Sequence, residues 1–340
     1  MKQTKLFGLL LSAVLVLGLA ACGETGGNSA GSSGAASSQA AEPAAYSIAA
    51  LKGPTAMGLV KLMRDAEDGK ELANDYTFSL AASPDEVSPK LIQGELDMAC
   101  VPANLAAVLY QKTEGQIVTL AVNTLGVLYI VEKGNAVQSL DDLKGMTVVS
   151  AGKGASPEQA LRYLLDKNGE SLDGDVIVDW KSEHSESVAA LASGEATVAL
   201  LPQPFVTVAQ SKVEGLRVAL DLNKEWDALS DDGSSLVTGV IVARRDVVEE
   251  NPGAVKAFLK EYAASVDWVN GNVPEAAELI GAYGIVDAAV AEKALPACNI
   301  VCITGGEMKE KLSGYLAALM EQNPQSVGGA LPEDAFYFGA

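Results

Sequence analysis

The chain has 340 residues, and its 44 Asp and Glu against 24 Lys and Arg give a formal net charge of −20 at pH 7. That balance excludes nucleic acid as a partner, because binding to phosphates needs clustered basic side chains. With one histidine, and with four cysteines in no Cys/His ligand spacing, neither a metal site nor a cofactor is expected.

Residues 1–22 have the plan of an export signal: Lys2 and Lys5 form a basic start, Leu6 to Leu19 an apolar core, and Leu19-Ala20-Ala21-Cys22 places small residues before a cysteine. The apolar run is short for a stable membrane span. It resembles the lipobox of bacterial lipoproteins, which implies that Cys22 becomes a lipidated N-terminus. Residues 23–45, GETGGNSAGSSGAASSQAAEPAA, hold no aromatic or branched aliphatic side chain and cannot bury enough surface to fold. They read as a flexible tether with a reach of roughly 25–30 Å. A leash behind a lipid anchor puts the folded part beside the cell membrane on its extracytoplasmic face, at the cell surface or in a periplasm.

In the first half, strand-like runs are predicted at 46–51, 76–81, 97–101 and 117–121, with helices at 54–66, 84–93 and 104–112. In the second half, strands are predicted at 146–150, 175–180, 197–201 and 216–220, with helices at 157–167, 185–193 and 204–211. Strands alternating with helices imply mainly parallel sheets flanked by helices. Two extended runs, 122–138 and 236–244, link the halves, and helices at 252–270, 273–282, 287–295 and 306–322 follow the second. The reading is two α/β lobes: lobe one from 46–125 and 236–340, lobe two from 126–235, with the two crossing strands as a hinge. Cys100 lies in an apolar run and reads as a core residue; Cys298 and Cys302 are left open between a local disulfide and free thiols.

Two turns share one plan. Lys52-Gly53-Pro54-Thr55 follows a strand and opens a helix, with Pro preset for the first helical position and the N–H groups of Thr55 and Ala56 facing outward. Ser150-Ala151-Gly152-Lys153-Gly154-Ala155-Ser156 does the same in the second half, with Ser156 expected as the helix cap and Gln159 at capping-box spacing. Free N–H groups at a helix start suit an anion or a dipole. The turn at Ser83-Pro84 is discounted, because Asp85 and Glu86 already occupy that helix start.

The stretches LKGPTAMGLVKLM, GELDMACVPANLAAVLYQK, DLKGMTVVSAGKGASPEQALRYLL, SGEATVALLPQPFVTVAQ and LPEDAFYF, in that order, resemble a substrate-binding protein of a bacterial ABC importer. The fold so implied is the two-lobed type II periplasmic-binding fold. The likeness is strongest to the nitrate, sulfonate, taurine and pyrimidine-precursor branch. It implies a ligand held between the lobes by loops at helix starts. On this chain those positions are Lys52, Gly53, Pro54, Thr55, Asn104, Asn123 and Thr124 in lobe one, with Thr238 and Gly239 on the returning strand. In lobe two they are Lys153, Gly154, Ala155, Ser156, His184 and Gln203. Asn104 reads equally as a helix cap, Gln203 as a surface turn, and His184 as a surface or cap residue. Tyr110, Tyr129 and Trp180 are stacking candidates, and equally core residues.

Only Arg64, Arg162, Arg217, Arg244 and Arg245 supply guanidinium groups, and none falls in these loops. Bidentate Arg is the usual clamp for carboxylate, sulfonate or phosphate. A singly charged anion or a neutral polar ring is therefore expected in preference to a dianion. The function implied is a monomeric, membrane-tethered solute-binding protein that delivers a small molecule to an ABC permease. The alternatives are a surface lipoprotein that senses a ligand or binds protein, and an enzyme on the same bilobal fold. The enzyme is disfavoured, because the chain offers neither a nucleophile–base–acid arrangement nor the GK[ST] ending of a phosphate loop.

Overall fold

Apolar runs bounded by turn residues become strands. The computed structural model describes residues 43–340, so the export signal and nearly all of the tether lie outside the described residues. The strands are β1 (Ala45–Leu51), β2 (Asp75–Ala81), β3 (Met98–Pro102), β4 (Ile117–Leu125), β5 (Leu128–Lys133), β6 (Thr147–Ala151), β7 (Ile177–Lys181), β8 (Val198–Pro202), β9 (Leu216–Asp221), β10 (Val237–Arg244) and β11 (Ile300–Ile303). One sheet has six strands in the order β11-β4-β10-β3-β1-β2, and the other has five in the order β7-β6-β8-β5-β9.

The two orders match strand for strand apart from the edge strand β11, which has no counterpart in the five-stranded sheet. In each sheet three strands run parallel, and a strand arriving from the other half of the chain lies antiparallel between the third and the fourth. The arriving strands are β10 and β5. The expectation of mainly parallel sheets therefore holds for strand direction, but half or more of the pairings in each sheet are antiparallel, because the crossing strands insert in the middle rather than adding at an edge.

This insertion aims the two sheets at each other. β4 ends at the carboxyl edge of its sheet, and after two residues β5 starts, antiparallel, at the carboxyl edge of the other. The return is equivalent: β9 ends at the second carboxyl edge and β10 begins at the first. Both connections thus join carboxyl edge to carboxyl edge. The loops after β1, β3, β6, β7 and β8 border the same gap.

Faces alternate with period two, as pleated strands require. On β5, Leu128 and Ile130 join a large core that includes the helix Ser156–Lys167, whereas Tyr129 and Val131 pack in a smaller one with the helices His184–Ser193 and Phe205–Lys212. The larger core does not stop at the lobe boundary. Trp226, fully buried, stacks on Tyr163 at 4.0 Å and meets Tyr315 of the C-terminal helix Gly305–Gln322 at 5.5 Å. The tail returns to lobe one, where Phe338 N–H donates to the Thr119 carbonyl at 2.9 Å.

Several local expectations need correction. The helix expected over 54–66 is two helices, Pro54–Met57 and Val60–Glu67. Ser265 causes the break: its hydroxyl donates to the Gly58 carbonyl at 2.6 Å and accepts from Leu62 N–H at 3.2 Å, entering the ladder between two partners. Ala155, in extended conformation, is the cap of the helix Ser156–Lys167, and Ser156 is its first residue. The strand β11 and the helices Leu222–Leu229 and Arg245–Glu250 were not anticipated. Cys100, Cys298 and Cys302 are free thiols, and Cys100 is buried in the core as expected. Among the described residues, no helix is long and apolar enough to cross a membrane.

Candidate functional site

On lobe one the loop after β1 is locked from below. The Thr55 hydroxyl donates to the Leu51 carbonyl at 3.0 Å, and the Asn123 amide donates to the Thr55 carbonyl at 3.0 Å. The Asn123 Oδ1 accepts from the Thr124 hydroxyl at 3.1 Å. Gly239 of β10 lies against this group, and a Cβ there would come within 2.4 Å of Thr55 Cγ2 and 2.6 Å of Asn123 Oδ1. Thr55, Asn123, Thr124 and Gly239 are thus brought together, but as a buried brace. With relative exposures of 1% for Asn123 and 0% for Thr124, both side chains work inside the lobe. What the brace presents outward is the turn itself: exposed Lys52, Gly53 with φ +129°, and Pro54. The Ala56 N–H is not free, as it donates to the Gly53 carbonyl. Thr238 is half-buried beside Gly239, and the Asn104 amide turns to the Ser326 carbonyl at 3.3 Å, tying down the C-terminal segment.

On lobe two, Lys153, Gly154 and Ala155 are exposed and Gly154 has φ +77°. The Gly154 N–H donates to Glu158 at 2.6 Å, so a carboxylate of the chain itself occupies this donor. Burial raises the Glu158 pKa, but the Gly154 N–H and the Arg162 guanidinium outweigh it and hold the carboxyl below its usual range. Sequence reasoning missed this, although the rule that discounted the Ser83-Pro84 turn for its acidic residues applies equally to Glu158. Ser156 lies beside the Tyr315 hydroxyl. His184 opens the helix His184–Ser193 with its ring 5.2 Å from that of Phe205; burial pushes its pKa down, and its Nδ1 is buried without a hydrogen-bond partner. Gln203 is buried, and its Oε1 accepts from the Thr207 hydroxyl at 3.0 Å.

The hinge carries bonds that no sequence signal announced. Gly126 N–H donates to Asn223 at 3.2 Å, Asn299 donates to the Gly126 carbonyl at 2.5 Å, and the Tyr129 hydroxyl donates to the Ala297 carbonyl at 2.7 Å. Tyr129 is therefore a hinge residue, and Tyr110 is a core residue set edge-on to Phe336. Concavities of 350 and 440 Å³ open on lobe one away from these loops, around Arg244 and along β2. The case for the gap therefore rests on topology rather than on cavity size.

All five arginines are engaged, four of them outside it and Arg162 beside the loop after β6, where Glu158 holds it. Arg244 donates to the carbonyls of Gly94 and Leu96, and Arg245 to those of Gly115 and Ala335, at the far edge of lobe one. Arg217 binds Glu132, Arg162 binds Glu158, and Arg64 lies over the Tyr283 ring.

Residues 69–294, well over half of the chain, match the family described as "ABC transporter, phosphonate, periplasmic substrate-binding protein". A protein of Brucella abortus (strain 2308) with a provisional name as a binding protein is 26% identical over 213 residues, covering 61% of this chain and 64% of that relative's length. The structure of an ABC transporter protein from Parabacteroides distasonis shares the fold with a TM-score of 0.72 at 23% identity, over 86% of this chain and 98% of that one. The periplasmic aliphatic sulphonate binding protein SsuA of Escherichia coli shares it with a TM-score of 0.66 at 17% identity, over 86% and 92%. The facing strand-end loops and the family match lead to one conclusion: the chain belongs to the periplasmic substrate-binding proteins of the phosphonate ABC transporter family.

Proposed function

We propose that the protein is the extracytoplasmic solute-binding component of an ABC importer. It captures a small polar or singly anionic organic solute between its lobes and delivers it to a permease. The observation that carries this reading is the double crossover, which turns both sets of strand-end loops toward one gap and leaves two connections, a short one at 126–127 and a longer one at 222–236, to bend. A ligand that touches both lobes favours the closed state, and only such a difference in affinity drives closure. Arg162, beside the loop after β6, is paired with Glu158 and the other four arginines lie away from the gap, which supports a ligand of low charge, such as a sulfonate, nitrate or a pyrimidine-type ring. Anchoring through Cys22, action as a monomer and a place at the outer face of the cell membrane belong to the same proposal. So does binding without chemistry: burial pushes the Cys100 thiol up to about 12, out of nucleophilic range.

The test is a calorimetric and thermal-shift screen of the purified protein against sulfonates, nitrate, methylphosphonate, pyrimidines and amino acids. A true ligand at 100 times its Kd adds ~2.7 kcal/mol of stability. A saturable hit that weakens at least tenfold in Lys52→Ala/Lys153→Ala supports capture in the gap. A hit indifferent to that pair would move the site elsewhere. Gly53 and Gly154 are poor probes, since positive φ would strain any side chain placed there.

A further inference from the structure

The short connection between the lobes is bonded on both sides. Gly126 N–H donates to Asn223 of lobe two at 3.2 Å, and the Gly126 carbonyl accepts from Asn299 of lobe one at 2.5 Å. Asn299 sits in a segment rooted in lobe one, where Leu295, Cys298 and Ile300 are buried in one core cluster. Ala297 of the same segment turns the other way. It packs against the lobe-two cluster of Tyr129, Val131 and Val206, and its carbonyl accepts from the Tyr129 hydroxyl at 2.7 Å. Asn299 has φ +46°, a left-handed conformation that Asn tolerates, and its amide also lies beside the Tyr129 hydroxyl. On the same flank the helix Ala288–Ala294 of lobe one meets the helix Phe205–Lys212 of lobe two.

We propose that residues 295–299 form a latch between the lobes, and that Tyr129 and Asn299 are positioning residues that raise the affinity for any solute of the gap. Their bonds run from lobe to lobe and involve none of the loops after β1, β3, β6, β7 and β8. They therefore favour the closed arrangement by the same amount whatever the solute. The affinity claim deepens the solute-binding reading and rests on it. A protein whose binding-competent arrangement is only partly populated binds more weakly in proportion. One net hydrogen bond shifts such a balance roughly fivefold, so the two side chains together shift it roughly 25-fold.

Tyr129→Phe removes the hydroxyl and keeps the ring in its core, and Asn299→Gly removes the amide and keeps the positive φ. Both single variants and the double variant are compared with wild type by small-angle X-ray scattering of the free protein. Methylphosphonate and methanesulfonate are then titrated into each by calorimetry. The expected result is a larger radius of gyration in the free double variant, restored by a saturating probe. The Kd for both probes should rise by one common factor, up to roughly 25-fold. An equal radius of gyration in free wild type and double variant would overturn the latch. So would a Kd that is unchanged, lowered, or raised by different factors for the two probes. A probe that fails to bind wild type drops out: the scattering comparison then decides the latch, and the ligand screen decides the solute-binding reading.

Discussion

Glu132 on β5 and Glu170 ahead of β7 have side chains only 4% and 1% exposed. Burial raises the pKa of each, but their partners differ. Glu132 accepts from Ala136 and Val137 N–H at 2.8 and 3.2 Å and from Arg217 at 2.5 Å, which leaves its carboxyl below the ordinary value of 4.5. Glu170 has no hydrogen-bond partner at either oxygen, Lys144 stands off at 3.6 Å, and nearby Asp141 adds to the burial, so its pKa is raised. The stability from Glu132 is present above pH 4.5 and is lost as pH falls through its depressed pKa. That from Glu170 is present below pH 4.5 and is lost as pH rises through its raised pKa. Glu170→Gln is expected to raise the thermal midpoint at mildly alkaline pH by about 2 °C and to change little in acid. Glu132→Gln should lower the midpoint near neutrality by about 5 °C, because Arg217 loses its charged partner. Scanning calorimetry across pH reads both, and shifts of the same sign would refute the contrast. At this scale the sequence spoke through residue type alone. Arg244 and Arg245 lay outside every candidate loop and stay outside the gap, but nothing in the letters said that the side chain of Asn123 would be spent on Thr55.

Secondary-structure elements were the most legible level. Strand-like runs such as 46–51 and 117–121 become β1, which starts one residue earlier, and β4, which runs on to Leu125. β11 was missed because it has four residues and exists only through antiparallel pairing with β4, from far away in the chain. The split helix after Gly53 was missed for a related reason: its breaker, Ser265, stands 207 residues from Gly58. Gly58 shows how packing reverses propensity. Alanine is favoured over glycine in helices by ~1 kcal/mol, but a Cβ at Gly58 would meet the hydroxyl of fully buried Tyr262 at 2.5 Å and Ile300 at 3.0 Å. Overpacking of this kind costs ~1–3 kcal/mol. Gly58→Ala is expected to be net destabilising by ~1–2 kcal/mol in urea unfolding, and a more stable variant would mean that Tyr262 moves aside freely.

The whole molecule departs from two independent lobes on a flexible strap. The Tyr163–Trp226–Tyr315 stack puts the C-terminal helix, whose chain neighbours belong to lobe one, against a helix of lobe two. The hinge bonds at Gly126 and Tyr129 add a third point of attachment. The wild type should therefore unfold in one calorimetric transition. Trp226→Ala should cost ~3–5 kcal/mol, as expected for a fully buried Trp, and should split the transition in two as the shared core is lost. A single transition at lower temperature would confine Trp226 to ordinary packing.

The sequence by itself determined the alternation of strands and helices, the two halves with a return, the net charge of −20, and the loops where the candidate contacts fall. These are local properties, written in spacings of a few residues. Only the tertiary structure decided that the arriving strands insert at the centre of each sheet and so turn the carboxyl edges toward each other. It alone decided that the Asn123 amide is spent on the Thr55 carbonyl and that Ser265 breaks the helix after Gly53. Those outcomes depend on partners up to hundreds of residues apart and on side-chain geometry, and neither leaves a periodic trace in the chain.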